Sequence, residues 1–161
     1  LEGPEKWKRR NGLSCQPVYN MTPIPIPVVA AVLLRGDEVL VTRRKRGGHL
    51  AGKWEFPGGK VHAGESPEEC LHRELKEELS ITVEVVRNLP SASHDYPGFS
   101  ITLFPFICKV ASGRILLHEH SAVRWVVPAD LPSVDLAEAD IPVVSSYLSI
   151  VGDSGLVNGG A

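Results

Sequence analysis

Three glutamates, Glu74, Glu77 and Glu78, stand at i, i+3 and i+4 in the run Arg73-Glu74-Leu75-Lys76-Glu77-Glu78-Leu79. On a helix this spacing puts their carboxylates on neighbouring points of one flank, near enough to repel. Fully solvated, the repulsion costs only about 0.2–0.5 kcal/mol per pair, and the flank is simply a charged surface. Partly enclosed, the same charges need a cation, and hard oxygen donors suit a divalent ion. The spacing alone leaves both readings open. Just upstream, Gly58-Gly59 offers backbone without side chains, which a bound group can approach closely.

The segment that carries the glutamates has the marks of a helix over 68–79. Ser66 reads as its N-cap, Pro67 as its first helical residue, and Glu69 completes a Ser-x-x-Glu capping box. Leu71, Leu75 and Leu79 recur every four residues as a buried stripe. Apolar runs at 28–34, 39–42, 81–86, 100–110 and 123–127 read as strands, with Arg35-Gly36-Asp37 as the first turn. Residues 43–53 form a polar loop with Gly47, Gly48 and Gly52, and 142–151 a closing helix. A helix set between strands without a βαβ rhythm predicts an α+β fold or a layered α/β/α sandwich, not a doubly wound sheet.

The chain has 161 residues, 43% of them apolar and 22% charged, which fits one soluble domain with a core of its own. Seventeen basic against 19 acidic residues leave a net charge of −2, which argues against a basic face for duplex nucleic acid. Polyanionic small molecules remain open to it, because a metal ion can supply positive charge. Cys15, Cys70 and Cys108 form no CxxC pair, so neither a zinc ribbon nor a disulfide framework is expected, and a reducing cytoplasm fits best. The apolar run 24–34 is short and interrupted by Pro25 and Pro27, far from the ~20 residues a membrane span needs. Lys6, Lys8, Arg9 and Arg10 are followed by a polar stretch, unlike a signal peptide. The expected organisation is a tail over 1–26, a domain over 27–151 and a second tail over 152–161. Met21, the only methionine, is a candidate start of the domain, with 1–20 as leader or processed sequence.

Gly59, five residues, Glu65, seven residues, then Arg73-Glu74-Leu75-Lys76-Glu77-Glu78-Leu79-Ser80-Ile81 resembles the signature of the Nudix hydrolases. That signature is Gly-x5-Glu-x7-Arg-Glu-U-x-Glu-Glu-x-Gly-U, with U a bulky apolar residue. One specified position differs: Ser80 stands where the family has glycine. Such a glycine ends the helix and adopts positive φ, so Ser80 implies modest strain or a different turn. The resemblance extends over roughly residues 28–148, through Thr42-Arg43-Arg44, the run from Leu50 to Lys60, Ser100-Ile101-Thr102-Leu103, Glu119 before Trp125, and Ala139-Asp140-Ile141-Pro142. These segments are similar to the MutT-type branch, which includes pyrophosphohydrolases of oxidised dGTP and a subgroup acting on CTP-like substrates.

The resemblance implies a Nudix-type sandwich with a mixed sheet and a loop–helix–loop motif. It implies a Mg²⁺-dependent enzyme, with Mn²⁺ as a substitute, that cleaves the α–β bridge of a nucleoside triphosphate to a monophosphate and pyrophosphate. Glu77 and Glu78 are then the principal metal ligands with the Gly58 carbonyl beside them. Glu74 is a ligand or the general base, and Glu119 is the other candidate for both roles. Glu65 and Arg73 pair to hold the loop that follows Gly59 against the helix. Arg44 and Lys60 match phosphate-side contacts, whereas Arg43, Lys45 and Arg46 read as a solvated loop. The base is expected between Phe56 and Asp140, with His49 also lining the site. Where oxidised-guanine enzymes commonly have asparagine, this chain has Asp140; a carboxylate accepts hydrogen bonds and donates only when protonated, which favours an amino-bearing edge such as cytosine's. His118 and His120 lack a third ligand for zinc, and Cys70 is expected to be a reduced structural thiol.

Other substrates within the family are ADP-ribose, sugar nucleotides and dinucleoside polyphosphates, and Tyr96-Pro97 is a weak pointer towards the first and last of these. From a different class, a non-catalytic nucleotide-binding module could use the same fold, but such modules typically lack the carboxylate set. The expected partner is a nucleotide, with no nucleic-acid polymer or membrane, on a monomer or homodimer.

Overall fold

The computed structural model describes residues 23–153. The Met21 start, residues 1–22 of the expected N-terminal tail and 154–161 of the C-terminal tail lie outside the described residues. β1 (Ile26–Arg35) turns at Gly36 into β2 (Glu38–Arg44), and Gly36 takes φ 60°, which a Cβ would disfavour. Short strands β3 (Trp54–Glu55) and β4 (Gly58–Lys60) precede α1 (Pro67–Leu79). Then come β5 (Ile81–Asn88), β6 (Ala92–Tyr96), β7 (Phe99–Gly113) and β8 (His120–Val126). Two 3-10 turns, Pro128–Ser133 and Glu138–Asp140, lead into α2 (Ile141–Asp153).

The strands form one mixed eight-stranded sheet. β1 runs parallel to β7, with Val28 opposite Leu103 and Leu34 opposite Lys109. Its other edge is shared, by β4 over Val28–Ala30 and by the β2 hairpin at Leu34 and Arg35. β1 is apolar at consecutive residues because both of its faces are covered. Val29, Ala31 and Leu33 meet Leu71, Leu75 and Leu79 of α1, while Ala30 and Val32 share a cluster with Val143, Val144 and Tyr147 of α2. This is the α/β/α sandwich that the element order predicts.

The start of α1 is built as its sequence requires. The Ser66 hydroxyl accepts from the Glu69 N–H at 3.1 Å, and the Glu69 carboxylate accepts from the Ser66 N–H at 2.8 Å. Such a cap contributes about 1 kcal/mol. Leu71, Leu75 and Leu79 are fully buried, so truncating Leu75 to alanine would cost about 2–5 kcal/mol. This anchored stripe fixes the rotation of the helix and so the direction of the glutamates beside it.

Three strands were not foreseen. β3 and β4 have two and three residues, too few to show a period, and β6 reads Ala-Ser-His-Asp-Tyr, a polar edge pairing only β7. β1 also begins at Ile26, one residue earlier than the expected domain boundary. Among the described residues no helix is long and apolar enough to cross a membrane.

Candidate active site

A cleft of about 860 Å³ opens beside β1 and β4, against the C-terminal half of α1 and the second 3-10 turn. It gathers two sets of side chains. Glu74, Glu78 and Glu119 form an acidic set; Phe56, Tyr96, Phe99 and Asp140 form an aromatic and carboxyl set. Glu55 lies within electrostatic reach of both, since it raises the pKa of Glu78 and of Asp140.

Glu78 is the most constrained of the carboxylates. The residue is 6% exposed, the Gly58 N–H donates to it, and its Oε2 has no hydrogen-bond partner. Burial, reinforced by Glu74, Glu119 and Glu55, pushes its pKa up to about 9. Glu74 is also raised, by burial first, against the opposing hydrogen bond and charge of Arg73. Glu77 is placed differently: its side chain is 56% exposed, its carboxylate lies 3.2 Å from Arg73 Nη1, and it is not on the cleft wall.

Arg73 organises this end of the site. Its Nε and Nη2 grip both Glu65 oxygens at 2.6 and 2.9 Å, its Nη1 reaches Glu74 at 2.9 Å, and Nη2 also donates to the Lys60 carbonyl at 3.1 Å. The Glu65–Arg73 pair therefore ties the loop after β4 to the helix. Arg73 and the His62 N–H together hold the Glu65 carboxyl down to about 2. Cys70 adds a further tie, its buried thiol donating to the Lys60 carbonyl at 3.3 Å, and burial pushes that thiol up to about 12. It is a structural thiol.

The two glycines have no room for side chains. A Cβ on Gly58 would run into the Val29 carbonyl, and one on Gly59 would collide with the Glu74 carboxylate. Among the described residues no three His, Cys, Asp or Glu side chains are already closed into a metal cage. Mutually repelling carboxylates have no reason to close without a cation. The donor set nonetheless fits a hard divalent ion: oxygen ligands only, a buried orphan oxygen on Glu78, and Gly58 on the same cleft wall. Glu74, Glu78, Glu119 and the Gly58 carbonyl could hold it.

Towards the other set, Arg44 Nη1 pairs with Glu55 Oε2 at 2.8 Å, and Glu55 Oε1 lies 3.2 Å from His120 Nε2. Lys60 is exposed on the wall of the cleft. Asp140 is buried; the Phe56 N–H donates to it, and desolvation holds its pKa well above the usual carboxylate value. Phe56 lines the cleft but is only 4% exposed, so its ring face is largely core. The more open aromatic face is that of Phe99, stacked on Tyr96 with ring centroids 5.2 Å apart. His49 is not on the cleft wall, but sits edge-on to both rings, 5.4 Å from Tyr96 and 6.1 Å from Phe99.

Glu55, Phe99, Tyr96 and His120 are cleft residues that sequence reasoning did not single out as a site. Glu55 sits in the run from Trp54 to Lys60, where it is open to the same reading as its neighbours, whereas Phe99 is brought in by the β6–β7 hairpin, whose Pro97-Gly98 turn is the signal that could have found it. His118 and His120 do not converge: the first meets Ser80 and the second Glu55.

A family model described as "NUDIX domain" matches residues 25–147. The CTP pyrophosphohydrolase of Escherichia coli K12 is 36% identical over 125 residues, covering 78% of this chain and 93% of that protein. The 8-oxo-dGTP diphosphatase of the same organism is 32% identical over 119 residues, covering 73% and 92%. The crystal structure of a MutT NUDIX hydrolase from Burkholderia pseudomallei superposes with a TM-score of 0.69 at 29% identity, covering 76% of this chain and 98% of that one.

Proposed function

Because this chain belongs to the Nudix hydrolase family, we propose that it hydrolyses the α–β phosphate bridge of a nucleoside triphosphate, releasing a monophosphate and pyrophosphate. The observation that carries this reading is one cleft whose wall holds both Glu74, Glu78 and Glu119 and Phe99, Tyr96 and Asp140. Mg²⁺ is the proposed ion, held by Glu74, Glu78, Glu119 and the Gly58 carbonyl. When bound, it neutralises phosphate oxygens and lowers the pKa of water. Glu77, held at Arg73, is proposed to complete the ion shell through solvent. Glu74 is our choice of general base, since burial raises its pKa above the ordinary carboxylate value while Arg73 holds its orientation. Arg44 and Lys60, both on the cleft wall, are proposed to meet phosphate oxygens, and Arg44 would exchange Glu55 for substrate.

Two bases suit these residues. Burial raises the Asp140 pKa well above the usual carboxylate value and so favours the protonated carboxyl, which offers one donor beside one acceptor. That pair complements the amino and ring-nitrogen edge of cytosine, and equally the lactam edge of a guanine. CTP, dCTP and 8-oxo-dGTP are therefore the proposed substrates, in keeping with what the names of the two relatives state of them. The buried free thiols Cys70 and Cys108 support placement in a reducing compartment such as the cytoplasm. The test is incubation with Mg²⁺ and 8-oxo-dGTP, dGTP, CTP, dCTP, ATP and ADP-ribose, with products resolved. Pyrophosphate plus a monophosphate from one of the first four is expected; turnover of ADP-ribose alone, or none, would overturn the reading.

A further inference from the structure

Ser80 departs from the motif, and the departure has structural content. It ends α1 in the left-handed region, at φ 58° and ψ 33°, and is the one non-glycine described residue with positive φ. Glycine would accept that conformation without a Cβ penalty. Serine brings a hydroxyl instead, and its Oγ lies 2.6 Å from His118 Nε2. The same stretch is pinned to the helix end twice more. The His118 N–H donates to the Glu78 carbonyl at 3.1 Å, and the Leu116 N–H donates to the Leu79 carbonyl at 3.0 Å.

The residue that follows is Glu119, on the cleft wall. It lies in the segment between the end of β7 at Gly113 and the start of β8 at His120, where no sheet ladder fixes the backbone. Its two neighbours are both tethered, His118 to Ser80 and His120 to Glu55 at 3.2 Å. We propose that Ser80 and His118 form a latch that sets where Glu119 stands relative to Glu78, making both of them positioning residues for the acidic set. A glycine at residue 80 would relax the turn and release the latch. The inference rests on the reading of Glu119 as part of that set.

The test is amide hydrogen exchange in the metal-free protein at Leu116 and His118, with Leu75 as the reference, in Ser80→Gly and His118→Ala. Ser80→Gly is expected to keep or raise the thermal midpoint, because the left-handed turn is relieved, while exchange at Leu116 and His118 accelerates about tenfold and Leu75 is unchanged. His118→Ala should do the same to Leu116, and the double variant should add nothing. With nucleotide and Mg²⁺, kcat should fall about tenfold with KM within about twofold. Exchange within about twofold of the parent in both variants would overturn the latch. So would accelerated exchange with kcat unchanged, because Glu119 would then be positioned by something else. A parent that turned over no nucleotide would sink the proposed activity, yet exchange would still decide whether the latch exists.

Discussion

The carboxylate of Glu74 occupies the space in front of Gly59 that any side chain there would need. Gly59 is therefore required by a neighbour and not by its own backbone angles, since its φ is not positive. Gly59→Ala should push Glu74 away from the cleft. A displacement of about 1 Å in a catalytic group can cost about 10²-fold in rate, so kcat/KM should fall by about that factor. Gly64→Ala is the contrasting variant. Gly64 has φ 78° with open space around it, so alanine should cost about 1–2 kcal/mol of stability and leave kcat near the parent value. Steady-state kinetics and thermal unfolding on both variants separate the two causes.

Glu78 makes the metal-free protein sensitive to pH. Its folded pKa of about 9 stands above its ordinary value of 4.5, so between those limits the folded state binds more protons than the unfolded one. Stability of the metal-free protein should fall as pH rises through that window. Glu78→Gln removes the ionisation and should flatten the profile, leaving the variant more stable than the parent at alkaline pH. Mg²⁺ needs the deprotonated carboxylate, so its stabilisation of the parent should grow with pH and be small in Glu78→Gln. Activity of the variant should drop by roughly two to three orders of magnitude. Thermal unfolding from about pH 5 to about pH 10, with and without Mg²⁺, reads the stability effects.

The acidic set was legible because a helix writes its geometry into sequence. Ser66 and Glu69 mark the start, Leu71, Leu75 and Leu79 mark the buried side, and Glu74 and Glu78 must then lie next to it. What spacing could not say is that Glu77 would be drawn to Arg73 while Glu78 sank into the core. That difference depends on Gly58 and β1, which are distant in sequence. The nucleoside end was harder to read. Phe56 announces itself as an aromatic in a motif-like run, but its side chain belongs to the buried cluster that includes Ala30 and Val32. Phe99 and Tyr96 stand together because Pro97-Gly98 turns β6 into β7, a local signal in the sequence, but that this hairpin tip reaches the cleft depends on β7 pairing with β1, which is distant in sequence. Ser80 was visible as a departure, whereas its partner His118 required the fold.

Arg73 serves five acceptors with one rigid guanidinium: Glu65, Glu74, Glu77, the Lys60 carbonyl and the Cys70 sulfur. A lysine keeps the charge but not the fork, so Arg73→Lys should hold Glu65 or Glu74 but not both. Loss of such an orienting partner costs about 10–100-fold, and kcat should fall within that range. The Glu65 carboxyl, held down to about 2 largely by Arg73, should titrate nearer its ordinary 4.5 in the variant. Its stabilising contribution is present above the ordinary value and is lost as pH falls towards 2, so the variant should lose acid resistance. Side-chain carbonyl NMR of Glu65 across the acid range reports the shift directly.

Asp140 gives the opposite sign at the nucleoside end. Burial, with Glu55 nearby, raises its pKa well above 3.8 against the opposing Phe56 N–H and Arg44. The neutral carboxyl is thus the form that the fold favours, and stability declines as pH rises above the ordinary value towards the folded one. Substrate recognition should follow the same proton. While Asp140 is neutral it donates and accepts; once ionised it only accepts, and an acceptor on the base edge loses its partner. KM for the preferred nucleotide should therefore rise in the parent as increasing pH ionises Asp140. Asp140→Asn cannot ionise and always presents both a donor and an acceptor, so its KM should be flat over that range and stay within about tenfold of the parent at neutral pH. Asp140→Ala removes both and should raise KM by about 10–100-fold with less effect on kcat. Parallel pH profiles for the parent and Asp140→Asn would mean that the proton on Asp140 plays no part in reading the base.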